Sequence, residues 1–201
     1  MVHLQSGAAT DVGRVREVNE DSYFASPPVF VVAALLCEDE EGPKWLLANL
    51  GDSRVYRLHE GTLDQVSVDH SVVQELMDAG KIDAHTAAHH PARHVITRAL
   101  GGPEPREPDF FLLPLESASR VVLCSDGVSG MIDDQEIEEI LATAPDPRDA
   151  AERIVAAAVA AGGEDNATAV VVDVVGWAES GEAHETRSSP VSLEEKLGAL
   201  P

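Results

Sequence analysis

The chain has 201 residues, room for one domain or one domain with a tail; 44% are hydrophobic and only 4% aromatic, so an aliphatic core is expected. Asp and Glu outnumber Lys and Arg by 36 to 14, a formal charge of −22. That balance excludes a nucleic-acid reader, which needs a Lys/Arg surface, and works against an anionic membrane surface. Clustered carboxylates remain compatible with hard divalent cations.

The first ten residues have neither a basic start nor an apolar run, so no signal peptide is expected there. No stretch reaches membrane-spanning length. The run 29–36 (VFVVAALL) predicts a buried strand, and 44–49, after an acidic turn at 38–43, a second. Residues 54–58 and 62–68 read as a hairpin around Glu60-Gly61. A helical apolar spacing (Val72, Val73, Leu76, Met77) marks 71–79, stopped by Gly80. A short helix is expected at 83–89, and a helical or extended piece at 94–100. Strands are expected at 110–115 and 120–124, helices at 133–141 and 149–161, and a β-branched strand at 168–175. A domain over residues 1–176 and a polar tail over 177–201, with one helical turn at 192–197, complete the reading. Strands and helices do not alternate strictly, which favours α+β with antiparallel sheets. Cys37 and Cys124 lie in apolar strands without CxxC spacing and read as buried thiols in a reducing cytoplasm.

Four acidic islands sit at strand ends or turns: Asn19-Glu20-Asp21, Gly51-Asp52-Ser53, Ser125-Asp126-Gly127 and Glu164-Asp165-Asn166. Each alone reads as a turn. Together they can converge on one point, as a two-metal site requires.

Their neighbours carry a resemblance. The stretch 10–21 (TDVGRVREVNED) resembles the opening motif of bacterial 2C-type, metal-dependent Ser/Thr phosphatases, the PPM family. Residues 49–56 (NLGDSRVY), 69–71 (DHS), 96–101 (ITRALG), 123–127 (LCSDG) and 163–168 (GEDNAT) resemble further motifs in family order. The resemblance implies a sandwich of two antiparallel sheets flanked by helices, with Mg²⁺ or Mn²⁺ at one end. It implies a phosphorylated protein as substrate, a Ser/Thr kinase as counterpart, and hydrolysis of phosphoserine or phosphothreonine by metal-activated water. The alternative is a pseudophosphatase that binds phosphoprotein without turnover.

By the same resemblance Arg16 grips phosphate, where a guanidinium fork suits the task; otherwise it is an exposed strand residue. Asp126 and Asp165 correspond to ligands of the first metal, Glu20 to a ligand of the second, and Asp21 to a water-mediated partner. Asp69 corresponds to a third-metal ligand or to the N-cap of the helix near Ser71. Asp52 reads as structural, and His89-His90 as a surface loop.

One departure stands out. The family's first core strand ends in an Asp-Gly-Met-Gly-Gly-His-like loop, whose Asp bridges both metals, followed by two long helices. Here residues 30–33 start like that strand and 34–37 already read as the later one, so an internal truncation near 32–34 is inferred. Asp126-Gly127 is the chain's one Asp-Gly pair and is already assigned. The expected consequences are weak binding of one cation and a sheet face stripped of its helices, exposing an apolar patch.

Overall fold

The computed structural model describes residues 2–21, 31–99 and 106–177. In chain order these form β1 (Val2–Asp11), β2 (Val31–Asp39), β3 (Gly42–Leu50), β4 (Arg54–His59), β5 (Thr62–Gln65), α1 (Val72–Asp78) and α2 (Ala84–Ala88). There follow β6 (Asp109–Pro114), a 3-10 turn at Leu115–Ser117, β7 (Arg120–Cys124), α3 (Asp126–Ser129), α4 (Asp134–Thr143), α5 (Pro147–Ala161) and β8 (Ala167–Trp177).

Two antiparallel sheets result. The larger has the order β1-β8-β7-β4-β5 and the smaller β2-β3-β6. Between them lies an aliphatic core of Leu47, Val55, Leu115 and Val121, with Trp45 donating its indole N–H to the Ala118 carbonyl at 3.3 Å. On the outer face of the larger sheet, α4 and α5 bury Ile137, Leu141, Ala150, Ile154 and Ala158 against Tyr56, Val122, Ala169 and Val171. Small alanines let α5 lie close to β1 and β8. Both helices start as their sequences demand. Asp133 caps α4 by accepting from the Glu136 N–H, and Asp146 caps α5 ahead of Pro147. The α4 end is tied down by Arg120, which pairs with Asp173 at 2.5 Å across β7–β8 and donates to the Leu141 carbonyl at 2.6 Å.

The expected α+β sandwich is present, and no helix falls between Val31 and Trp45. Instead β2 turns directly into β3 through a hairpin at Asp39–Gly42. Several local expectations need correction. β1 gave no sequence signal: it is an edge strand, mostly exposed, and gets its pairing from β8 rather than from an apolar pattern. Residues 94–99 are neither helix nor strand; a single bridge joins Ser71 to Ile96. Strand β5 ends at Gln65, and β8 runs from Ala167 to Trp177, longer at both ends than the expected 168–175. The cap of α1 is Ser71, whose hydroxyl accepts from the Gln74 N–H; Asp69 does not cap it. Cys124 is buried, but Cys37 is only half-buried. Burial pushes the Cys124 thiol up to about 12, so it stays protonated at neutral pH. The expectations for residues 29–30, for 100–103 and for the tail at 178–201 lie outside the described residues.

Candidate active site

Sheet register gathers the acidic islands. Arg54 of β4 stands opposite Cys124 of β7, Cys124 opposite Ala169 of β8, and Ala167 opposite Asp11 of β1. Asp52 lies two residues before Arg54, Asp126 two after Cys124, and Asp165 two before Ala167. All three therefore leave the same end of the larger sheet. They line a cleft of about 530 Å³ with Arg16, Glu164, His94, Ile96 and Met131.

The loop after β1 is held over this end by buried Asn166. Its side-chain amide donates to the Val12 and Val18 carbonyls at 2.9 and 3.0 Å, and its oxygen accepts from the Glu20 N–H at 2.6 Å. Two glycines make the closeness possible. Gly13 has φ +77, and a Cβ there would stand 2.3 Å from the Asp165 carbonyl oxygen; one on Gly127 would stand 1.9 Å from that of Asn166.

Arg16 donates to Asp165 at 2.6 Å, with both side chains partly open to water. That pair raises the Arg16 pKa, helped by the charges of Glu20 and Asp126. Asp126 is pushed up to about 6, first by burial and then by Asp52, Asp165 and Asp21. Asp21 is also raised by burial, although the Ser125 hydroxyl donates to it at 2.7 Å. Burial raises Asp52 too, with Asp69 adding repulsion. The cleft thus crowds carboxylates that lack enough positive charge.

Of the residues singled out in the sequence, Arg16, Asp126 and Asp165 line the cleft together. Asp21 stands behind it, near enough to act on Asp126. Glu20 is exposed and outside the lining, and acts on the cleft through its charge on Arg16. Asp69 is engaged elsewhere: Arg54 holds it in a fork at 2.7 and 3.0 Å, and Gln65 donates to it at 3.0 Å. Arg54 also donates to the Tyr56 hydroxyl, which donates to Asp134 at the start of α4. Asp52, read as structural from the sequence, is a cleft residue. Its signal was present in its placement just before a strand, the same geometry as Asp165. His94 and Met131 had no sequence signal.

Two motifs serve the architecture. His70 is buried; its Nδ1 accepts from the Gly51 N–H at 3.0 Å, which leaves Nε2 to donate to Asp109 at 3.0 Å. Arg98 donates to the same Asp109. Asp109 is held below the usual carboxylate range by His70 and also by Arg98. Thr97 donates its N–H to the His70 carbonyl, so the segment carrying His94 and Ile96 is fastened beside the Gly51-Asp52 turn.

The fold is a two-sheet α+β sandwich with an acid-lined cleft at one end, and comparison with known proteins gives its family. No family-wide sequence profile matches the chain. The Ser/Thr phosphatase Stp of Listeria welshimeri is 36% identical over 143 residues, 71% of this chain and 55% of that protein. The PPM Ser/Thr phosphatase MsPP of Mycobacterium smegmatis, solved with cacodylate, is 31% identical with a TM-score of 0.69, covering 85% of this chain and 98% of that one. The catalytic domain of the phosphatase PstP, solved with two manganese ions, is 27% identical with a TM-score of 0.70, covering 88% and 100%. The chain belongs to the PPM family of Ser/Thr phosphatases. It spans about half the length of the Listeria relative.

Proposed function

We propose that this chain is a metal-dependent phosphoprotein phosphatase acting on phosphoserine and phosphothreonine, with Mg²⁺ or Mn²⁺ as its cation. The observation that carries this reading is the convergence of Arg16, Asp126 and Asp165, with Asp52 and Asp21 beside them, in one cleft.

The donor set fits a hard divalent ion, because Asp126 and Asp21 are half-buried oxygen donors that repel one another and Asp52. It fits one held loosely. Among the described residues no three His, Cys, Asp or Glu side chains stand close enough to hold an ion. Asp126 and Asp165 would hold the cation, with water in the remaining positions. When bound, the cation lowers the pKa of the water it holds and offsets phosphate charge. The chain's own residues do the rest. Arg16, exposed and tethered to Asp165, is free to exchange that carboxylate for a phosphate. Asp21, fixed by Ser125, keeps negative potential behind Asp126.

The substrate enters as a phosphorylated protein segment, and a Ser/Thr kinase supplies it. The cytoplasm is the expected setting. Among the described residues no helix is long and apolar enough to cross a membrane. The second reading, phosphoprotein binding without turnover, is favoured by one observation: among the described residues no third acidic side chain joins Asp126 and Asp165 in a cluster that could hold an ion.

Hydrolysis of an aryl phosphate and a phosphothreonine peptide, measured during Mn²⁺ titration for the wild type and D126N, tests the proposal. Mn²⁺-dependent turnover lost in D126N supports the phosphatase. Peptide binding that needs Arg16, with no turnover at any Mn²⁺ concentration, assigns the binding role.

A further inference from the structure

His94 lines the cleft with Arg16, Asp52, Asp126 and Asp165, yet neither cation binding nor the phosphate grip uses it. Its backbone is braced. The Val72 N–H donates to the Val95 carbonyl at 2.9 Å, the Thr97 N–H donates to the His70 carbonyl at 2.8 Å, and a bridge joins Ser71 to Ile96. His70 is in turn clamped to the turn that carries Asp52. Its own N–H donates to the Gly51 carbonyl at 2.9 Å, and its ring accepts from the Gly51 N–H at 3.0 Å. The segment that presents His94 is therefore fixed to the same turn that presents a cleft carboxylate.

The His94 side chain is exposed, and its ring has no hydrogen-bond partner among the described residues. Its neighbours are occupied. His89 donates to the His85 carbonyl at 3.1 Å, and the His90 ring accepts from the Ala92 N–H at 3.1 Å. Neither His89 nor His90 lines the cleft.

We infer that His94 is the general acid that protonates the departing serine or threonine oxygen. The inference rests on the phosphatase reading. In the step, a water oxygen bonds to phosphorus and the P–O bond to the substrate side chain breaks. The electron pair of that bond stays on the side-chain oxygen, which takes the proton of the His94 imidazolium as it leaves. The attacking water gives its proton to solvent. The neutral imidazole, open to solvent, regains one from it.

The chemistry of the leaving group selects this role. An alkoxide is a strong base and departs slowly unless a proton reaches it as the bond breaks. Imidazole is the side chain that ordinarily gains and loses a proton between about pH 5 and pH 8. The other cleft groups suit the task less well. The Arg16 guanidinium does not release its proton, and Ile96 and Met131 have none to give. Asp126 and Asp165 are charged once they hold a cation. Glu164 is exposed, and an exposed carboxyl is ionised at neutral pH. Asp52, whose pKa burial raises, is the rival donor.

Two leaving groups separate these roles in the full chain with Mn²⁺. The phenolate of p-nitrophenyl phosphate leaves without a proton, and the alkoxide of a phosphothreonine peptide does not. His94→Gln is expected to lower kcat for the peptide by about 10²-fold and for the aryl phosphate by no more than about threefold. His89→Gln, outside the cleft, is expected to change neither. A second readout needs no turnover. With Mg²⁺ present, inorganic phosphate is expected to move the imidazole NMR signals of His94 and to leave those of His59 in place. Equal loss on both substrates, no loss, or His94 signals unmoved by phosphate overturns the acid role and leaves the phosphatase reading standing. A peptide-specific loss in Asp52→Asn but not in His94→Gln overturns it in favour of Asp52. A wild type that turns over neither substrate removes the phosphatase reading and the acid role together.

Discussion

The two sheets are made of similar strands, but their outer faces differ. The larger carries α4 and α5 outside and the acidic cleft at one end. The smaller shares the inter-sheet core and presents Leu35, Leu112 and Phe110 outward. Their ion pairs differ too. Arg120–Asp173 on the larger sheet is largely buried and caps a helix, whereas Lys44 on the smaller sheet pairs with Asp39 and Glu41 at an exposed hairpin. One sheet therefore holds both the helical layer and the acidic cleft, and the other supplies the inner half of the core.

This contrast can be broken at several places. The largest effect is expected at the cleft: Asp126→Asn should lower Mn²⁺-dependent turnover by about 10²–10³-fold, while leaving the melting temperature unchanged or higher. Steady-state kinetics beside thermal unfolding checks both halves. Next, Arg120→Ala should cost about 2–4 kcal/mol, because it strands Asp173 and frees the Leu141 carbonyl. Urea denaturation monitored by far-UV circular dichroism measures it, and a loss under 1 kcal/mol would count against the strap.

The cation-free protein should show an inverted pH dependence. Asp126 is raised from its ordinary 3.8 to about 6, so stability from keeping it protonated is full below pH 3.8 and lost as pH rises through about 6. Stability in chelator should therefore fall between pH 5 and pH 7, by on the order of 1–3 kcal/mol. D126N should flatten that slope, and added Mn²⁺ should favour the charged form and reverse it. A slope unchanged in D126N would place the titration elsewhere. The smallest effect is expected on the other sheet: Lys44→Ala should change unfolding free energy by less than about 1 kcal/mol. A larger loss in the same urea titration would mean that the β2–β3 hairpin carries more of the fold than its exposure indicates.

Much of this was legible in the sequence. The spacing of apolar residues marked β3, β4, β7, β8, α1, α4 and α5, because each buries one face or is buried on both. The motif order pointed to the family, and the passage from 30–33 directly into 34–37 anticipated the β2–β3 hairpin and the uncovered face. Side-chain roles were less accessible. Asp69 sits in a motif yet is claimed by Arg54, fifteen residues earlier; Asp52 looked like a turn residue yet enters the cleft. β1 has no apolar pattern of its own and exists because β8 offers it an edge. Local periodicity and turn chemistry are written along the chain, so the sequence by itself determined most of the elements and the family, with β1 the exception. Which carboxylates share a cleft, which ion pair claims an Asp, and how far Asp126 is desolvated depend on antiparallel register and burial between distant segments, and only the tertiary structure decided those.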